Sequence, residues 1–232
     1  MSKINISIDC VVFGFDADLA LKVLLITKKQ NPNAGENRST IQVALPGDLI
    51  RFDEALDPAA HRILKSLTSI DDIYLKQFGL FSDPERVKRP EDQLWLRNFR
   101  EDPTERVITI GYISLINIEE HSLKAASFAN NAEWVKINEV PQLTFDHNDI
   151  IQTAFAFLKK ELNHEISSIL LPKNFTLPQL QSLYESVLNK KFDKRNFRKQ
   201  MLKEGHLIKT ESISKTGRKG KPATYYQFKD AE

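Results

Sequence analysis

The sequence predicts an α+β fold in two parts: a strand-rich domain over residues 1–162 and a smaller basic domain over residues 175–232, joined by a linker at 163–174. Three observations lead to this prediction. Apolar, β-branched runs fill the first part, two helical stretches followed by two short strands fill the second, and the charge changes sign between them. A chain of 232 residues is long enough for two such domains.

The charge asymmetry is hidden by a formal net charge of only +2. Residues 171–232 hold 14 Lys and Arg against 6 Asp and Glu, whereas residues 1–170 hold 19 against 25. The segment 189–222 alone has 12 basic and 3 acidic residues. This split indicates an acidic domain joined to a module that contacts a polyanion; the alternative is a solvated basic helix face.

Several classes of protein are disfavoured by the composition. No apolar run approaches the ~18–20 residues of a membrane span, and the N-terminal stretch MSKINISIDC lacks the apolar core of a signal peptide. Cys10 is the only cysteine, so an internal disulfide or a cysteine zinc site is not expected. We therefore expect a cytoplasmic protein with no membrane partner.

In the first domain, alternating and apolar runs predict strands near residues 4–15, 21–28, 42–45, 74–81, 106–118 and 132–137. One helix is predicted to begin with Asp57 as N-cap and Pro58 in the first turn. A second is predicted over about 148–162. Residues 82–105 are polar and rich in Pro and Arg, which is typical of a long loop that is either functional or mobile.

The second domain has its elements in a characteristic order. A helix is predicted from Thr176 to Leu188, and a second one begins at Asp193 as its cap and ends before Gly205. Two strands follow, at 206–212 and 223–228, around a loop of Gly, Arg and Lys residues. Helix, turn, helix, strand, basic loop and strand is the order of a winged helix-turn-helix.

Residues 45–70, LPGDLIRFDEALDPAAHRILKSLTSI, are similar to the Nudix box. Glu54 and Arg62 are separated by seven residues, as in that box, although Gly47 comes one position early. In Nudix hydrolases, carboxylates on the following helical face hold the Mg²⁺ that stabilises the transition state. Those positions are occupied here by Ile63, Ser66 and Leu67. These residues cannot replace carboxylates as ligands of a hard cation, so neither a metal nor a catalytic residue is expected.

The box, the motifs LKVLLI, RVITIGY, AEWVKI and FDH, and the winged helix together resemble the Nudix-related transcriptional regulators. That resemblance implies a bacterial homodimer in which a Nudix-like α/β/α sandwich senses a small molecule without cutting it and needs no cofactor. One branch of the family senses ADP-ribose and governs NAD metabolism, and another senses pentoses and governs sugar use. Two alternatives remain: a divergent Nudix pyrophosphatase with an appended nucleic-acid module, and an RNA-binding Nudix adaptor.

The resemblance places the effector pocket beside the box helix. Each polar candidate also has a structural interpretation: a solvated loop residue, a cross-strand ion pair, a helix cap, or a Glu54–Arg62 pair that ties loop to helix. The candidate ligand-binding residues are Asp9, Arg51, Glu54, Arg106, Tyr112 and His147.

The expected partner of the second domain is double-stranded operator DNA, although a basic winged helix can also serve for protein contact. Arg reads guanine and Asn reads adenine, and the first residues of a recognition helix reach the bases. Base contacts are therefore expected from Lys194, Arg195, Asn196 and Arg198. Backbone or minor-groove contacts are expected from Lys199, from Thr176 and Gln179 before it, and from the wing residues Arg218, Lys219 and Lys221.

Overall fold

The computed structural model describes residues 4–16, 20–29, 41–97, 102–121, 123, 129, 131–213 and 224–229. Its first part is built on a seven-stranded mixed sheet with the order β3-β2-β1-β6-β5, to which β4 is added beside β1 and β7 beside β2. The strands are β1 (Ile4–Phe15), β2 (Leu21–Lys29), β3 (Ile41–Ala44), β4 (Gly47–Leu49), β5 (Lys76–Phe81), β6 (Arg106–Asn117) and β7 (Asn131–Lys136).

The two longest strands, β1 and β6, run parallel over their whole length, from Ile4 opposite Arg106 to Phe15 opposite Asn117. The other pairings in this sheet are antiparallel. Because side chains alternate along a strand, residues paired in register share a face of the sheet. Asp9 and Thr109 are therefore on the opposite face from Cys10 and Tyr112.

Helix α1 (Leu56–Thr68) covers one face of the sheet. Its buried apolar residues pack against the even-numbered residues of β1, and they are Ala59, Ala60, Ile63, Leu64 and Leu67. The predicted N-cap is wrong, because Ala55 caps the helix, while the Asp57 carboxylate accepts a hydrogen bond from the Tyr112 hydroxyl at 2.5 Å. The helix ends at Ser69, whose φ of 62° is the left-handed conformation that favours Gly.

The polar segment 82–105 is not a structureless loop, which corrects the expectation from its composition. It contains helix α2 (Pro90–Leu96), and Val87 and Leu96 reach into the core. The Asp92 carboxylate is buried and accepts hydrogen bonds from Arg89 at 2.7 Å and from the Phe145 amide at 2.7 Å. The segment therefore packs on the domain and contributes to the site described below.

Helix α3 (His147–Glu161) covers the other face of the sheet, so that the first part is an α/β/α sandwich as predicted. The segment expected as a linker contains helix α4 (His164–Leu170). None of the helices in the described ranges has the length and apolar character needed to cross a membrane.

The second part has the predicted winged helix-turn-helix order: β8 (Phe175–Thr176), α5 (Leu177–Leu188), α6 (Lys194–Glu204), β9 (Leu207–Ile213) and β10 (Thr224–Phe228). The strands form a small antiparallel sheet in the order β8-β10-β9. Both predicted ends of α6 are confirmed. The Asp193 side chain accepts a hydrogen bond from the Asn196 amide, and Gly205 ends the helix with a φ of 76°.

The two parts share one hydrophobic cluster. Ile151, Ala154 and Leu158 of α3 belong to the same set of buried side chains as Leu180 and Leu183 of α5. A displacement of α3 is therefore expected to reach α5 directly, because close-packed interiors transmit strain.

Candidate functional site

A small cavity of about 90 Å³ lies between β1, β4, β6, the segment 86–96 and the start of α3. Its apolar lining is interrupted by six polar side chains, four of which are acidic or basic and come from separate parts of the chain. They are Ser7, Asp9, Asp48, Arg86, Thr109 and His147. Two of them, Asp9 and His147, were predicted from the sequence.

Arg86 organises this cavity although its side chain is only 3% exposed. Its Nε and Nη2 donate to the two carboxylate oxygens of Asp146, at 2.9 and 2.6 Å. Nη2 is also 3.7 Å from the Asp9 carboxylate, and Nη1 donates to the Thr109 hydroxyl. Burial acts to lower the pKa of Arg86, but the carboxylates of Asp146 and Asp9 outweigh it and raise that pKa, so the guanidinium is a permanent cation here.

His147 is fixed in one tautomer by its neighbours. The Leu45 amide donates to Nδ1 at 3.0 Å, so that in the neutral ring the proton is on Nε2. Nε2 is 3.4 Å from the Asp9 carboxylate. Asp9 thus lies between a cation and an imidazole N–H, which stabilises its charged form inside the domain.

Gly47 makes room for Asp9. The two residues are paired between β4 and β1, and a Cβ at position 47 would lie 1.9 Å from Oδ1 of Asp9. Since heavy atoms cannot approach so closely, the Pro-Gly turn that looked like a displaced part of the Nudix box is needed for the position of this carboxylate.

The other four predicted ligand contacts do not line the cavity. Arg51 is exposed, and its amide donates to Glu54 at 3.2 Å. The Arg106 guanidinium is exposed and donates to the Ser82 carbonyl oxygen at 3.3 Å. Tyr112 is buried on the α1 face, where it donates to Asp57.

Glu54 is held by Arg62, whose Nε and Nη2 both donate to its carboxylate at 2.6 Å. That hydrogen-bonded cation lowers the pKa of Glu54 to about 2. Arg62 also donates to the Leu49 carbonyl oxygen at 3.2 Å. The pair therefore ties the loop before α1 to the helix.

The polar lining residues that sequence reasoning missed are Ser7, Asp48, Arg86 and Thr109. Ser7 and Thr109 are polar residues in apolar strands, and they have the same strand parity as Asp9, which was a usable signal. Their hydroxyl oxygens are 2.5 Å apart. Arg86 gave no such signal, because its partner Asp146 is 60 positions away.

Two of the three helix positions at which the Nudix box carries metal ligands are packed into the core, and the third is partly buried. Ile63 and Leu67 have no exposed surface, and the Ser66 hydroxyl donates to the Ile63 carbonyl oxygen at 2.9 Å. Within the part of the chain that the structure describes, no group of three or more His, Cys, Asp or Glu side chains is arranged to hold a metal ion.

Helix α6 presents a basic surface. Phe197 and Met201 are its buried residues, and Phe197 packs against Tyr184 of α5 with ring centroids 5.7 Å apart. Arg195 and Lys199 are one helical turn apart on the side away from Phe197. All five predicted contact residues of the helix are exposed: Lys194, Arg195, Asn196, Arg198 and Lys199.

The two predicted phosphate contacts before α6 have a structural role. Thr176 and Gln179 form a capping box, in which the Thr176 hydroxyl accepts from the Gln179 amide and the Gln179 side chain accepts from the Thr176 amide. The wing residues Arg218, Lys219 and Lys221 are outside the described residues.

Comparison with known proteins agrees with this architecture. Residues 168–228 match the family model of the NrtR DNA-binding winged helix domain. Over 227 residues the chain is 30% identical to the ADPR responsive transcriptional repressor NtrR of Acinetobacter baylyi, a match that covers 96% of this chain and 81% of that protein. The chain belongs to the NrtR family of transcriptional regulators.

Two further matches differ in how much of this NrtR-family chain they cover. The crystal structure of Shewanella oneidensis NrtR complexed with a 27mer DNA has a TM-score of 0.66 and 25% identity, and the match covers 97% of this chain and 93% of that one. An ADP-ribose pyrophosphatase of Methanocaldococcus jannaschii is 31% identical over 131 residues, or 56% of this chain and 64% of that protein. These findings confirm the predicted family resemblance and the combination of a Nudix fold with a winged helix.

Proposed function

We propose that this NrtR-family chain is an effector-responsive, DNA-binding transcriptional regulator that acts as a cytoplasmic homodimer. Residues 1–162 form the sensor domain, residues 163–174 the connection and residues 175–232 the DNA-binding domain. The sensor has no hydrolytic role. The observation that carries the proposal is the burial of Ile63 and Leu67 at the metal-binding positions of a chain that also presents the basic helix α6.

The cavity around Asp9 is the proposed effector site, and its size and charge bear on which of the two effector classes it binds. A volume of about 90 Å³ admits several water molecules or a ligand of similar bulk, well below the ~300–1,000 Å³ of sites for larger ligands. Asp9 and Asp48 outnumber Arg86 in the lining, which disfavours a pyrophosphate. A neutral, hydroxyl-rich compound such as a pentose is therefore one candidate effector, and with it control of sugar metabolism.

The Acinetobacter relative is named as an ADPR responsive repressor. That name supports the other effector, ADP-ribose, and with it control of NAD metabolism. ADP-ribose is bulkier than a cavity of about 90 Å³, so its binding needs a wider site. A thermal-shift and calorimetry series with pentoses and ADP-ribose separates the two, since a ligand at 100 times its dissociation constant adds about 2.7 kcal/mol of stability. Binding of ADP-ribose alone would reject the sugar assignment, and binding of neither would reject both.

The DNA-binding role is tested with duplexes selected by the full chain from a random pool. Arg195→Ala is expected to weaken binding to the selected duplex by about 1–3 kcal/mol, because it removes a bidentate donor at the start of the recognition helix. Lys203→Ala, which removes the same charge at the far end of α6, is the matched control and is expected to cost less. Equal losses in the two variants would contradict base reading by Arg195.

The dimer is proposed because a two-fold protein matches a palindromic operator, and the S. oneidensis protein was crystallised on a 27mer. Light scattering of the purified chain, alone and on the selected duplex, checks it. A monomer on DNA would contradict this part of the proposal. Stronger binding to duplex RNA in competition would instead support the RNA-binding adaptor.

The match to an ADP-ribose pyrophosphatase favours one second candidate, a divergent hydrolase. Glu54 is the one carboxylate of the box that remains, and Arg62 holds both of its oxygens. Mg²⁺-dependent turnover of ADP-ribose that Glu54→Gln abolishes would establish the hydrolase and reject the sensor without catalysis.

A further inference from the structure

Arg86 links the cavity to the beginning of α3. The same guanidinium that faces Asp9 and Thr109 inside the cavity binds Asp146 through two hydrogen bonds, at 2.9 and 2.6 Å. Asp146 does not line the cavity. It is the N-terminal cap residue of α3, and its carbonyl oxygen accepts from the amides of Asp149 and Ile150 at 2.9 and 3.1 Å.

The chain enters α3 in an unfavourable conformation that its neighbours hold in place. Phe145, directly before Asp146, has a φ of 57°, which is uncommon for an aromatic residue. The Phe145 amide donates to Asp92 at 2.7 Å, and Arg89 donates to its carbonyl oxygen. Because the segment 86–92 holds this geometry from outside the helix, a change in one of those contacts is expected to alter the first turn of α3.

From that turn, packing continues into the DNA-binding domain. Ile151 and Ala154 of α3 share a hydrophobic cluster with Leu180 and Leu183 of α5. Helix α5 in turn contacts the recognition helix through the edge-to-face ring pair of Tyr184 and Phe197. A rigid-body change at the start of α3 therefore reaches α6 through two packed interfaces.

We propose that the Arg86–Asp146 ion pair is the switch that couples effector occupancy to DNA affinity. This inference rests on the proposed function. A ligand whose hydroxyl groups bind Asp9 and Thr109 competes with Arg86 for the oxygen atoms of these two side chains. The guanidinium then rebalances between Asp9 and Asp146, and the hold on the first turn of α3 changes. Coupling follows because the ligand interacts differently with the two arrangements.

The decisive variant is Asp146→Asn, which keeps the size of the side chain, removes its charge and leaves the cavity lining intact. Asp149→Asn is the matched control, because Asp149 is exposed in the same helical turn and its loss gives the same charge change. The measured quantity is the coupling factor, the ratio of dissociation constants for the selected duplex with and without saturating effector. The effector probe is a pentose or ADP-ribose, whichever binds the wild type.

Asp146→Asn is expected to reduce the coupling factor at least about fivefold, on a scale where allosteric factors are typically about 5–150. The dissociation constant of the duplex without effector and that of the effector without duplex are expected to stay close to those of the wild type, and Asp149→Asn is expected to keep the full coupling. Unchanged coupling in Asp146→Asn would overturn the proposal. A wild type without any coupling would overturn the proposed function as well, which distinguishes the two failures.

A second measurement needs no effector. In the ligand-free chain, hydrogen exchange of α5 is expected to be faster in Asp146→Asn than in Asp149→Asn, because local opening would propagate from α3. Changes confined to residues 141–150 would reject the path through α5. If Asp146→Asn does not fold, Asp146→Glu, which keeps the charge and displaces the carboxylate by one methylene group, takes its place in both experiments.

Discussion

The two faces of strand β1 bury different chemistry. On the face covered by α1, Ile8, Cys10 and Val12 pack against aliphatic side chains that include Ile63 and Leu67. On the other face, Ser7 and Asp9 come before the apolar residues Val11 and Phe13, and they meet buried polar groups from three other segments. Consecutive residues of one strand thus contribute to a dry core and to a polar cavity.

This difference shows how a scaffold can exchange one kind of site for another. The α1 face, where Nudix hydrolases hold their metal, is stabilised by area burial that tolerates apolar substitutions of similar volume. The cavity depends on a network in which each charge needs its partners, because removing one leaves the others buried and unpaired. Charged substitutions are therefore expected to destabilise the α1 face, whereas the cavity is expected to be sensitive to changes of shape that move a charged group away from its partners.

The largest effect is expected from Ile63→Glu, which returns a carboxylate of the box to a position with no exposed surface. Without a buried cation beside it, we expect the free energy of unfolding to fall by about 3–5 kcal/mol. Ile63→Leu keeps the volume and is expected to cost less than about 1.5 kcal/mol. Urea denaturation of both variants measures the difference.

The contrast between the two faces of β1 would be contradicted if Ile63→Glu were as stable as the wild type. A variant that then gained further stability from millimolar Mg²⁺ would show that the α1 face can still be opened to a metal. In that case the loss of metal binding at this face would be reversible by a single substitution, and the core around Ile63 would not have been repacked against a carboxylate.

A smaller effect is expected from Gly47→Ala on the cavity side. The added methyl group would lie 1.9 Å from the Asp9 carboxylate, so Asp9 must move away from Arg86 and His147. We expect the effector to bind at least about tenfold more weakly, a loss of about 1.4 kcal/mol or more. Calorimetry with the effector that binds the wild type measures this loss.

Gly79→Ala is the control for that variant. Its added methyl group would lie 3.3 Å from the nearest ring atom of Phe81, which is tight but tolerable, and it is on the edge strand β5. If Gly47→Ala bound the effector as well as Gly79→Ala did, the position of Asp9 would not matter to the site, and the cavity would lose its functional assignment.

The sequence was sufficient for most of the fold because the signals for its elements are local. Alternation marked the strands, and Asp193 and Gly205 marked the ends of α6 through their own hydrogen bond and backbone angle. Tyr112 was named as a ligand candidate for its polarity, without its position in the strand. It is paired with Cys10 in register, and that register places it under α1.

The cavity was only half visible from the sequence, for a different reason. Asp9 and His147 stand out as polar residues next to apolar ones, but Arg86 acquires its role from contacts with Asp146 and Asp9 that no local pattern encodes. The polar composition of its segment indicated exposure, whereas the side chain is 3% exposed because two carboxylates offset its burial. Long-range charge pairing of this kind is what a single sequence conceals.

The smallest effect is expected from Glu54→Gln, and it concerns the one box carboxylate left on the α1 side. Arg62 lowers the pKa of Glu54 from an ordinary value of 4.5 to about 2. The unfolded chain therefore takes up this proton at a higher pH than the folded chain does. The stabilisation by the pair is complete above pH 4.5 and is lost as the pH falls toward 2.

Glu54→Gln should accordingly be slightly less stable than the wild type at neutral pH, and the difference in denaturation midpoint should narrow as the solution is acidified below pH 4.5. The effect is modest because both side chains remain in contact with solvent, which screens their attraction. Glu165→Gln, at an exposed position in α4, is the control and should show no such convergence. The difference in denaturation midpoint could instead persist unchanged in acid, or Mg²⁺ could stabilise the wild type but not Glu54→Gln. Either result would show that the Glu54 carboxylate has a role beyond its pair with Arg62. The contrast between the dry and the polar face of β1 would then be weaker at this residue.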